Sequence, residues 1–180
     1  MGSTGDGSTS AARFLHRPVE TGRAFWGPGD HYTFLVTGEE SGGAYFVMEA
    51  LVPPGGGPPP HIHTREDETF YLLEGQLEFL SGDETIVAGR GDFVSVPRGT
   101  VHRFKNTGGE TARVILTFTP AGIEHWFEET LEAAPNVFAV EDVPDNIEEV
   151  AARYAEAAPR HGLVFVDEVP AGSAADTSSA

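Results

Sequence analysis

Short β-type runs fill residues 24 to 120, and they limit the fold more strongly than any other feature of the sequence. The runs are rich in β-branched and aromatic residues and end at glycine, proline or aspartate, as in HYTFLVT, AYFVMEALV, ETFYLLEG and ARVILTFTP. Closely spaced strands of this kind predict a β-sandwich or a barrel. Gly82-Asp83 and Gly108-Gly109 each separate two runs, and we predict hairpin turns there because glycine tolerates positive φ.

After Pro120 the apolar residues recur at helical spacing instead. The stretch AGIEHWFEETLEA predicts one helix, and its apolar face has four members: Ile123, Trp126, Phe127 and Leu131. A second helix is predicted over residues 146–157, with Asp145 as its capping residue, and LVFV at 163–166 can return as an edge strand. We expect both helices to pack on the outside of the β-structure. The alternative places Trp126 and Phe127 over the mouth of a barrel.

The division of the chain follows from these patterns and from its small, polar ends. We predict a flexible tail at 1–20, a barrel at 21–122, a helical extension with a possible edge strand at 123–168, and a second flexible tail at 169–180. Both tails contain too little apolar surface to offset the entropy that ordering would cost. The chain of 180 residues is long enough for a single domain with a full core.

The charge and the lack of cysteine narrow the possible partners and chemistry. Lys and Arg number 11 against 28 Asp and Glu, a formal net charge of −17 at pH 7 that repels nucleic acid and anionic membranes. Without cysteine, disulfides and thiol catalysis are excluded, and a metal must be held by histidine, carboxylate or carbonyl groups. No apolar run reaches about 18 residues and no signal-peptide pattern is present, so we expect a cytoplasmic protein.

Two histidines lie two residues apart in the stretch HIHTREDETF at 61–70. In an extended strand, His61 and His63 project from one face and can converge on one ion. If the strand continues, Asp67 lies on that face as well. If residues 64–67 form a turn between two antiparallel strands, the alternation resets and Glu68 points back towards the histidines. The spacing alone leaves both carboxylates open.

A third histidine follows in the strand-like stretch VPRGTVHRFKN. His102, Phe104 and Asn106 share one face, while the basic Arg103 and Lys105 share the other and are expected to face water. Three inward imidazoles and a carboxylate would carry a large desolvation cost without an ion, so we predict a metal site. The remaining histidines are predicted to be surface or capping residues: His16, His31, His125 and His161.

Two spacings in the chain resemble the signature motifs of the cupin superfamily: Gly55-(x5)-His61-x-His63-(x4)-Glu68-(x6)-Gly75 and Gly91-(x5)-Pro97-x-Gly99-(x2)-His102-(x3)-Asn106. The resemblance covers about residues 40–120 and implies an all-β fold, a double-stranded β-helix jelly roll with C-terminal helices packed on it. It also implies that the metal ligands are His61, His63, Glu68 and His102. This donor set suits one divalent transition metal ion, which could be Fe, Ni, Mn, Co, Cu or Zn.

Within the superfamily, the chain resembles small single-domain (monocupin) quercetinase-like proteins, on the HxH(x4)E spacing, the FYLLEG strand and the GIEHWFEETLE helix. This implies a metal-dependent dioxygenase acting on an enolic aromatic, flavonol-like substrate, with the metal-bound substrate deprotonated by Glu68. The predicted pocket walls favour a small apolar or aromatic ligand. They are Phe46, Met48, Phe70, Phe93, Phe104, Trp126 and Phe127.

Two other functions remain open from the sequence. The same ligands would serve a non-oxidative metal-dependent enzyme, such as a polyketide cyclase, isomerase or dehydratase, or a module that senses a small ligand. Exposed sheet edges also make a homodimer possible.

Overall fold

The computed structural model of this protein describes residues 14–81, 84–136 and 145–166. The strands within these residues are β1 (Ala24–Trp26), β2 (His31–Val36), β3 (Phe46–Val52), β4 (His61–His63), β5 (Asp67–Glu74), β6 (Gln76–Ser81), β7 (Glu84–Gly89), β8 (Phe93–Val96), β9 (His102–Lys105), β10 (Ala112–Thr119), β11 (Glu132–Ala134) and β12 (Leu163–Phe165). The helices are α1 (Gly38–Ser41), α2 (Glu124–Thr130) and α3 (Ile147–Ala157), and a 3-10 turn follows at Ala158–His161.

The strands form two antiparallel sheets. The larger sheet has the order β11-β1-β2-β3-β10-β5-β8, and the smaller sheet has the order β12-β4-β9-β6-β7. From β3 to β10 the chain passes repeatedly from one sheet to the other, as in a jelly roll. Gly75 lies at one crossing, between β5 and β6, with φ 70°. A Cβ atom there would lie 2.9 Å from the Ala112 Cα atom, so this sharp bend requires glycine.

The core lies between the sheets because the central strands alternate buried and partly exposed residues. On β3 the buried residues are Phe46, Met48, Ala50 and Val52, and on β10 they are Ala112, Val114, Leu116 and Phe118. These two strands are neighbours in the larger sheet, so their buried faces form one continuous apolar surface.

The predicted hairpin at Gly108-Gly109 is wrong. The strands before and after it, β9 and β10, belong to different sheets, so the segment is a crossing between sheets. The Asn106 amide holds this crossing by donating to the carbonyls of Val52 (2.7 Å) and Glu110 (2.8 Å). The other predicted turn, Gly82-Asp83, lies outside the described residues, although β6 and β7 pair on either side of it.

The helices differ from their predicted limits. The predicted first helix includes residues 132 and 133, but α2 ends at Thr130, and Glu132–Ala134 instead pairs with β1. Asn146, not Asp145, occupies the N-cap position of α3, and it makes no side-chain capping hydrogen bond. The predicted edge strand at 163–166 is present as β12, which pairs with β4.

One tryptophan joins the two C-terminal helices. Trp126 on α2 donates its indole N–H to the Tyr154 carbonyl at 2.9 Å, and the two rings stack with centroids 3.8 Å apart. Because Trp126 is also buried in the main core, this contact ties α3 to the sandwich.

No helix among the described residues has the length and apolar character that a transmembrane segment requires.

Candidate metal centre

The four residues implied by the motifs come together between the two sheets. His61 and His63 lie on β4, and His61 is directly opposite His102 on the neighbouring strand β9 of the smaller sheet. Glu68 reaches the same point from β5 of the larger sheet. One ligand atom from each residue lies within 4.8 Å of the others, and all four side chains are buried.

The break after His63 decides which carboxylate points inward. Strand β4 ends at His63 and β5 begins at Asp67. The break resets the alternation of inward and outward side chains, which is the sequence alternative that points Glu68 towards the histidines. Glu68 is 2% exposed, whereas the Asp67 carboxylate lies on the surface and binds the Arg98 guanidinium at 2.9 Å. The two strands belong to different sheets, so the turn between them carries the chain from one sheet to the other.

Backbone carbonyls orient two of the imidazoles. His61 Nδ1 lies 2.9 Å from the Pro59 carbonyl oxygen, and His102 Nδ1 lies 3.0 Å from the Thr100 carbonyl oxygen. A carbonyl can only accept, so Nδ1 carries the hydrogen in both rings. Each ring therefore presents Nε2 to the centre, which is the arrangement that a metal ligand needs.

The Glu68 carboxylate is shared between two histidines. Its Oε2 atom lies 3.0 Å from His102 Nε2 and 3.2 Å from His63 Nε2. Burial would raise the pKa of Glu68, but His63 and His102 outweigh that effect and hold the pKa below its usual value. Burial would likewise lower the pKa of His102, but the contact with Glu68 raises it.

His61 favours the neutral form of its imidazole. Burial lowers the pKa of His61 to about 3, and the neighbouring His102 and His63 add to this effect. Imidazole nitrogens beside an ionised carboxylate are the donor set that a divalent transition metal ion takes. The residues therefore fit such an ion.

Glu66 is a buried carboxylate behind the centre that sequence reasoning missed. It is 2% exposed, and its Oε2 atom lies 3.9 Å from His63 Nδ1. Within the part of the chain that the structure describes, neither atom has a hydrogen-bond partner. If strand β4 continued, alternation would place Glu66 on the face away from the ligands. Residues 64–66 form an irregular turn instead, and the Glu66 side chain is buried.

A small cavity, which we call the inner cavity, adjoins the centre. Its volume is about 20 Å³, which is room for about one water molecule. Four of the predicted pocket residues line it: Met48, Phe104, Trp126 and Phe127. The remaining lining residues are Tyr32, Pro58, His61, His63, Glu68, Leu116, Phe118, Tyr154, Leu163 and Phe165. Trp126 and Phe127 thus line the cavity as well as packing in the core.

The other three predicted pocket residues lie elsewhere. Phe46 and Phe70 are fully buried in the core but do not line the inner cavity. The prediction for Phe93 is wrong, because its side chain is 65% exposed. Phe93 lies opposite Tyr71 on the neighbouring strand, and Tyr71 belongs to the outward face of β5, so Phe93 also points to solvent.

A second cavity, which we call the vestibule, lies beside the inner cavity. Its volume is about 340 Å³, and it is lined by Pro28, Asp30, Tyr32, Pro58, Pro59, Ala151, Tyr154, Ala155, Phe165 and Val166. Four residues line both spaces and so stand between them: Tyr32, Pro58, Tyr154 and Phe165. Pro59 and Ala155 are exposed, so the vestibule opens to the surface.

Three buried polar side chains line the vestibule. The Tyr32 hydroxyl donates to Asp30 Oδ2 at 3.0 Å, and Tyr154 on α3 lines the same space. Burial raises the pKa of Asp30 to about 7, although the hydrogen bond from Tyr32 opposes the rise. Burial also raises the pKa of Tyr32 and of Tyr154 well above the usual value.

The raised pKa of Asp30 predicts a dependence of stability on pH. The folded protein keeps a proton on Asp30 up to about pH 7, whereas the unfolded chain loses it near pH 3.8. The free energy of unfolding that this proton contributes is therefore lost as the pH rises from 3.8 to about 7. We expect Asp30→Asn to gain stability relative to wild type over the same window, by up to about 4 kcal/mol.

Urea unfolding of the chelator-treated proteins at several pH values measures this difference. The matched control is Asp145→Asn, which removes an exposed carboxylate and should follow wild type. A constant difference between Asp30→Asn and wild type across the window would contradict the expectation.

The histidines outside the cluster follow the prediction with one exception. His16 and His125 are exposed, and His161, which is partly exposed, lies 2.8 Å from a Glu129 oxygen. His31 is buried instead, and its Nε2 atom lies 2.8 Å from the Pro135 carbonyl oxygen.

Comparisons with known proteins agree with the fold. Residues 48–118 match the family described as Cupin domain. The structure superposes on that of an RmlC-like cupin from Shewanella frigidimarina NCIMB 400 with a TM-score of 0.54 and 19% identity, covering 63% of this chain and 96% of the other. Residues 48–118 thus match a cupin domain, and the predicted all-β jelly roll with C-terminal helices is confirmed.

Within the superfamily, the sequence is similar to quercetin 2,3-dioxygenases. It is 38% identical over 103 residues to the enzyme of Aspergillus japonicus, which is 53% of this chain. It is 29% identical over 100 residues to the enzyme of Bacillus subtilis (strain 168), which is 55% of this chain. Each match spans only 29% of the relative's own length.

Proposed function

We propose that the protein is a metal-dependent dioxygenase that acts on an enolic aromatic compound of flavonol type. The observation that carries this proposal is the convergence of three imidazoles and one carboxylate beside a cavity whose walls are mainly aromatic. The similarity to quercetin 2,3-dioxygenases supports the same class of reaction.

The four clustered residues are proposed to hold one divalent transition metal ion: His61, His63, Glu68 and His102. Such an ion would lower the pKa of a hydroxyl bound to it, so an enol or phenol could lose its proton near neutral pH. Fe, Ni, Mn, Co, Cu and Zn all suit this donor set, and the identity of the ion is left to measurement.

The protein's own groups have separate roles in this proposal. Glu68 is the carboxylate that lines the inner cavity, and it is the candidate acceptor for the proton of the substrate hydroxyl. Met48, Phe104 and Phe118 would hold the aromatic ring beside the centre. Trp126 and Phe127 would exclude water from the reacting end of the substrate.

The cavity sizes define how such a substrate would lie. Ligand sites usually measure about 300–1,000 Å³, so the inner cavity can hold only the reacting end of a flavonol. The vestibule, at about 340 Å³, has room for the remainder. The substrate would therefore span both spaces, and Tyr154 and Phe165, which stand between them, would move aside.

Oxygen uptake with quercetin tests the proposal. We expect protein loaded with Fe, Ni, Mn or Co to consume oxygen when quercetin is added, and the zinc-loaded protein not to do so. Glu68→Ala should abolish the uptake, while His125→Ala, a change at an exposed histidine outside the centre, should preserve it.

The same assay separates the main alternative. If the purified protein contains zinc and consumes no oxygen with any enol, the dioxygenase proposal is wrong, and a non-oxidative reaction such as cyclisation, isomerisation or dehydration becomes the better one. Cytoplasmic location and a homodimer stay predictions from the sequence. Gel filtration and fractionation of cells would test them.

A further inference from the structure

Glu66 is a buried carboxyl group that the proposed reaction does not use. Its neighbours in the sequence bind at the surface, where Arg65 donates to the Arg160 carbonyl. The Asp67 carboxylate likewise binds Arg98 there. Glu66 is 2% exposed instead, and within the described part of the chain its Oε2 atom has no hydrogen-bond partner. Burying a carboxyl oxygen without a partner costs free energy, so we looked for a group that could supply one.

His63 is the candidate ligand whose outer ring nitrogen is unpaired. In the other two imidazoles, Nδ1 lies beside the carbonyl oxygen of the residue two positions earlier: Pro59 for His61, and Thr100 for His102. Among the described residues, His63 Nδ1 has no hydrogen-bond partner. The centre therefore has two imidazoles that backbone carbonyls hold and a third that they do not.

The two unpaired atoms lie close together. Glu66 Oε2 is 3.9 Å from His63 Nδ1, and both side chains are buried. On the other side of the ring, His63 Nε2 lies 3.2 Å from Glu68 Oε2 in the centre. A metal ion bound at Nε2 leaves the single hydrogen of the neutral ring on Nδ1, which then needs an acceptor. Glu66 Oε2 is an acceptor that the structure offers at that position.

We propose that Glu66 is a positioning residue of the metal centre, whose carboxyl group accepts the hydrogen of His63 Nδ1 when an ion is bound at Nε2. The two atoms would close by about 1 Å to reach the usual length of a hydrogen bond. The contact would fix the tautomer and the direction of the His63 ring, as the carbonyls do for His61 and His102. The inference rests on the proposed metal site and not on the dioxygenase reaction.

A carboxylate at this position also suits the charge of the centre. Glu68 is the single carboxylate among the four candidate ligands, so it balances only part of the charge of a divalent ion. Glu66 lies one ring further out and would offset the remainder without taking a coordination position. A backbone carbonyl could hold the ring but would supply no charge. Glu66 should therefore matter to the metal-loaded protein and contribute little to the metal-free fold.

Zinc affinity, measured in competition with a chelator of known affinity, tests this role. Glu66→Leu removes both the acceptor and the charge, and we expect it to lower the affinity by about 10–100-fold. Glu66→Gln keeps an acceptor oxygen but no charge, so its affinity should lie between those of Glu66→Leu and wild type. The matched control is Asp67→Asn at the next residue, which removes a surface carboxylate and should bind zinc as wild type does.

Nuclear magnetic resonance of zinc-loaded protein with isotope-labelled histidine separates positioning from a general structural role. In wild type we expect one Nδ1–H signal from each of the three candidate ligands. In Glu66→Leu the His63 signal should shift upfield, because its hydrogen bond is lost. The signals of His61 and His102, which carbonyls hold, should stay in place.

The melting temperature of the chelator-treated variants guards against a loss of fold. We expect Glu66→Leu without metal to melt at or above the wild-type temperature, because an apolar side chain replaces an unpaired buried carboxyl group. If Glu66→Leu does not fold, Glu66→Gln, which preserves the shape of the side chain, decides the question. Zinc affinity of Glu66→Gln equal to that of Asp67→Asn would then contradict the proposal.

The outcomes separate the role of Glu66 from the proposed function. If wild type and the folded Glu66 variants bind zinc equally and the His63 signal does not move, the positioning role is wrong. It is also wrong if wild type binds no zinc, and the proposed metal site then fails with it. If the Glu66 variants weaken zinc binding as expected but the metal-loaded wild type consumes no oxygen with quercetin, the dioxygenase proposal fails while the role of Glu66 stands.

Discussion

His102→Ala is expected to lower the affinity for metal by more than about 100-fold. Mutation of a residue that only supports a ligand typically lowers metal affinity by roughly 10–100-fold, and His102 is itself a candidate ligand. His102 supplies one of four donor atoms that lie within 4.8 Å of one another, and alanine leaves the other three beside an unfilled buried space. Glu68→Ala should have the same effect, because it removes the negative charge that balances the ion. Metal analysis of the purified variants, with circular dichroism to check folding, measures the result.

Two surface variants serve as controls for this prediction. Asp67→Ala removes the carboxylate next to Glu68 in sequence, but that carboxylate points outward to Arg98. His125→Ala removes an imidazole whose partner is Glu128 on the same helix. Both should keep wild-type metal content. Loss of metal from Asp67→Ala would show that the inward carboxylate had been assigned to the wrong residue.

Chelation is expected to lower the melting temperature by about 10 °C. An ion present at about 1,000 times its dissociation constant stabilises the folded state by about 4 kcal/mol, because the unfolded chain does not assemble the site. For a chain of this length, that stabilisation corresponds to about 8–16 °C. The structure gives a reason for a large effect, since the ligands come from both sheets.

Thermal unfolding before and after chelation, and again after metal is added back, measures this shift. The shift should reverse on reloading and should be absent in His102→Ala, which lacks the site. An unchanged melting temperature in wild type after its metal has been removed would contradict the prediction.

The candidate ligands could be predicted from sequence because each depends on a local pattern. His61 and His63 share a face of one strand by simple alternation, and His102 is separated from its basic neighbours in the same way. The choice between Asp67 and Glu68 needed the motif, because a turn can reset the alternation. The structure brings Glu68 to the other three and leaves Asp67 outside.

The grouping of the three buried polar side chains in the vestibule could not be predicted, because it depends on packing between distant segments. Asp30 and Tyr32 lie at the start of β2, whereas Tyr154 lies on α3. Nothing in the sequence shows which strand the buried face of that helix meets. Glu66 was missed for a related reason, since its inward position depends on an irregular turn.

The errors arose where tertiary pairing overrides local preference. The spacing of Leu131 fits a helix, yet its backbone is extended, with φ −92° and ψ 156°, and the next residues pair with β1. Phe93 looks like a core residue by type, but its register opposite Tyr71 turns it outward. Hydrophobic character alone does not show which face of a strand is buried.

The C-terminal segment supplies one strand to each sheet, with β11 beside β1 and β12 beside β4. β12 pairs with the strand that carries His61 and His63, residue opposite residue. A shortened chain that stops at residue 122 would thus uncover the backbone N–H and C=O groups along one side of β4. The two metal-binding side chains of β4 would then lie on an unpaired edge strand, so the described residues after 122 are part of the scaffold of the centre.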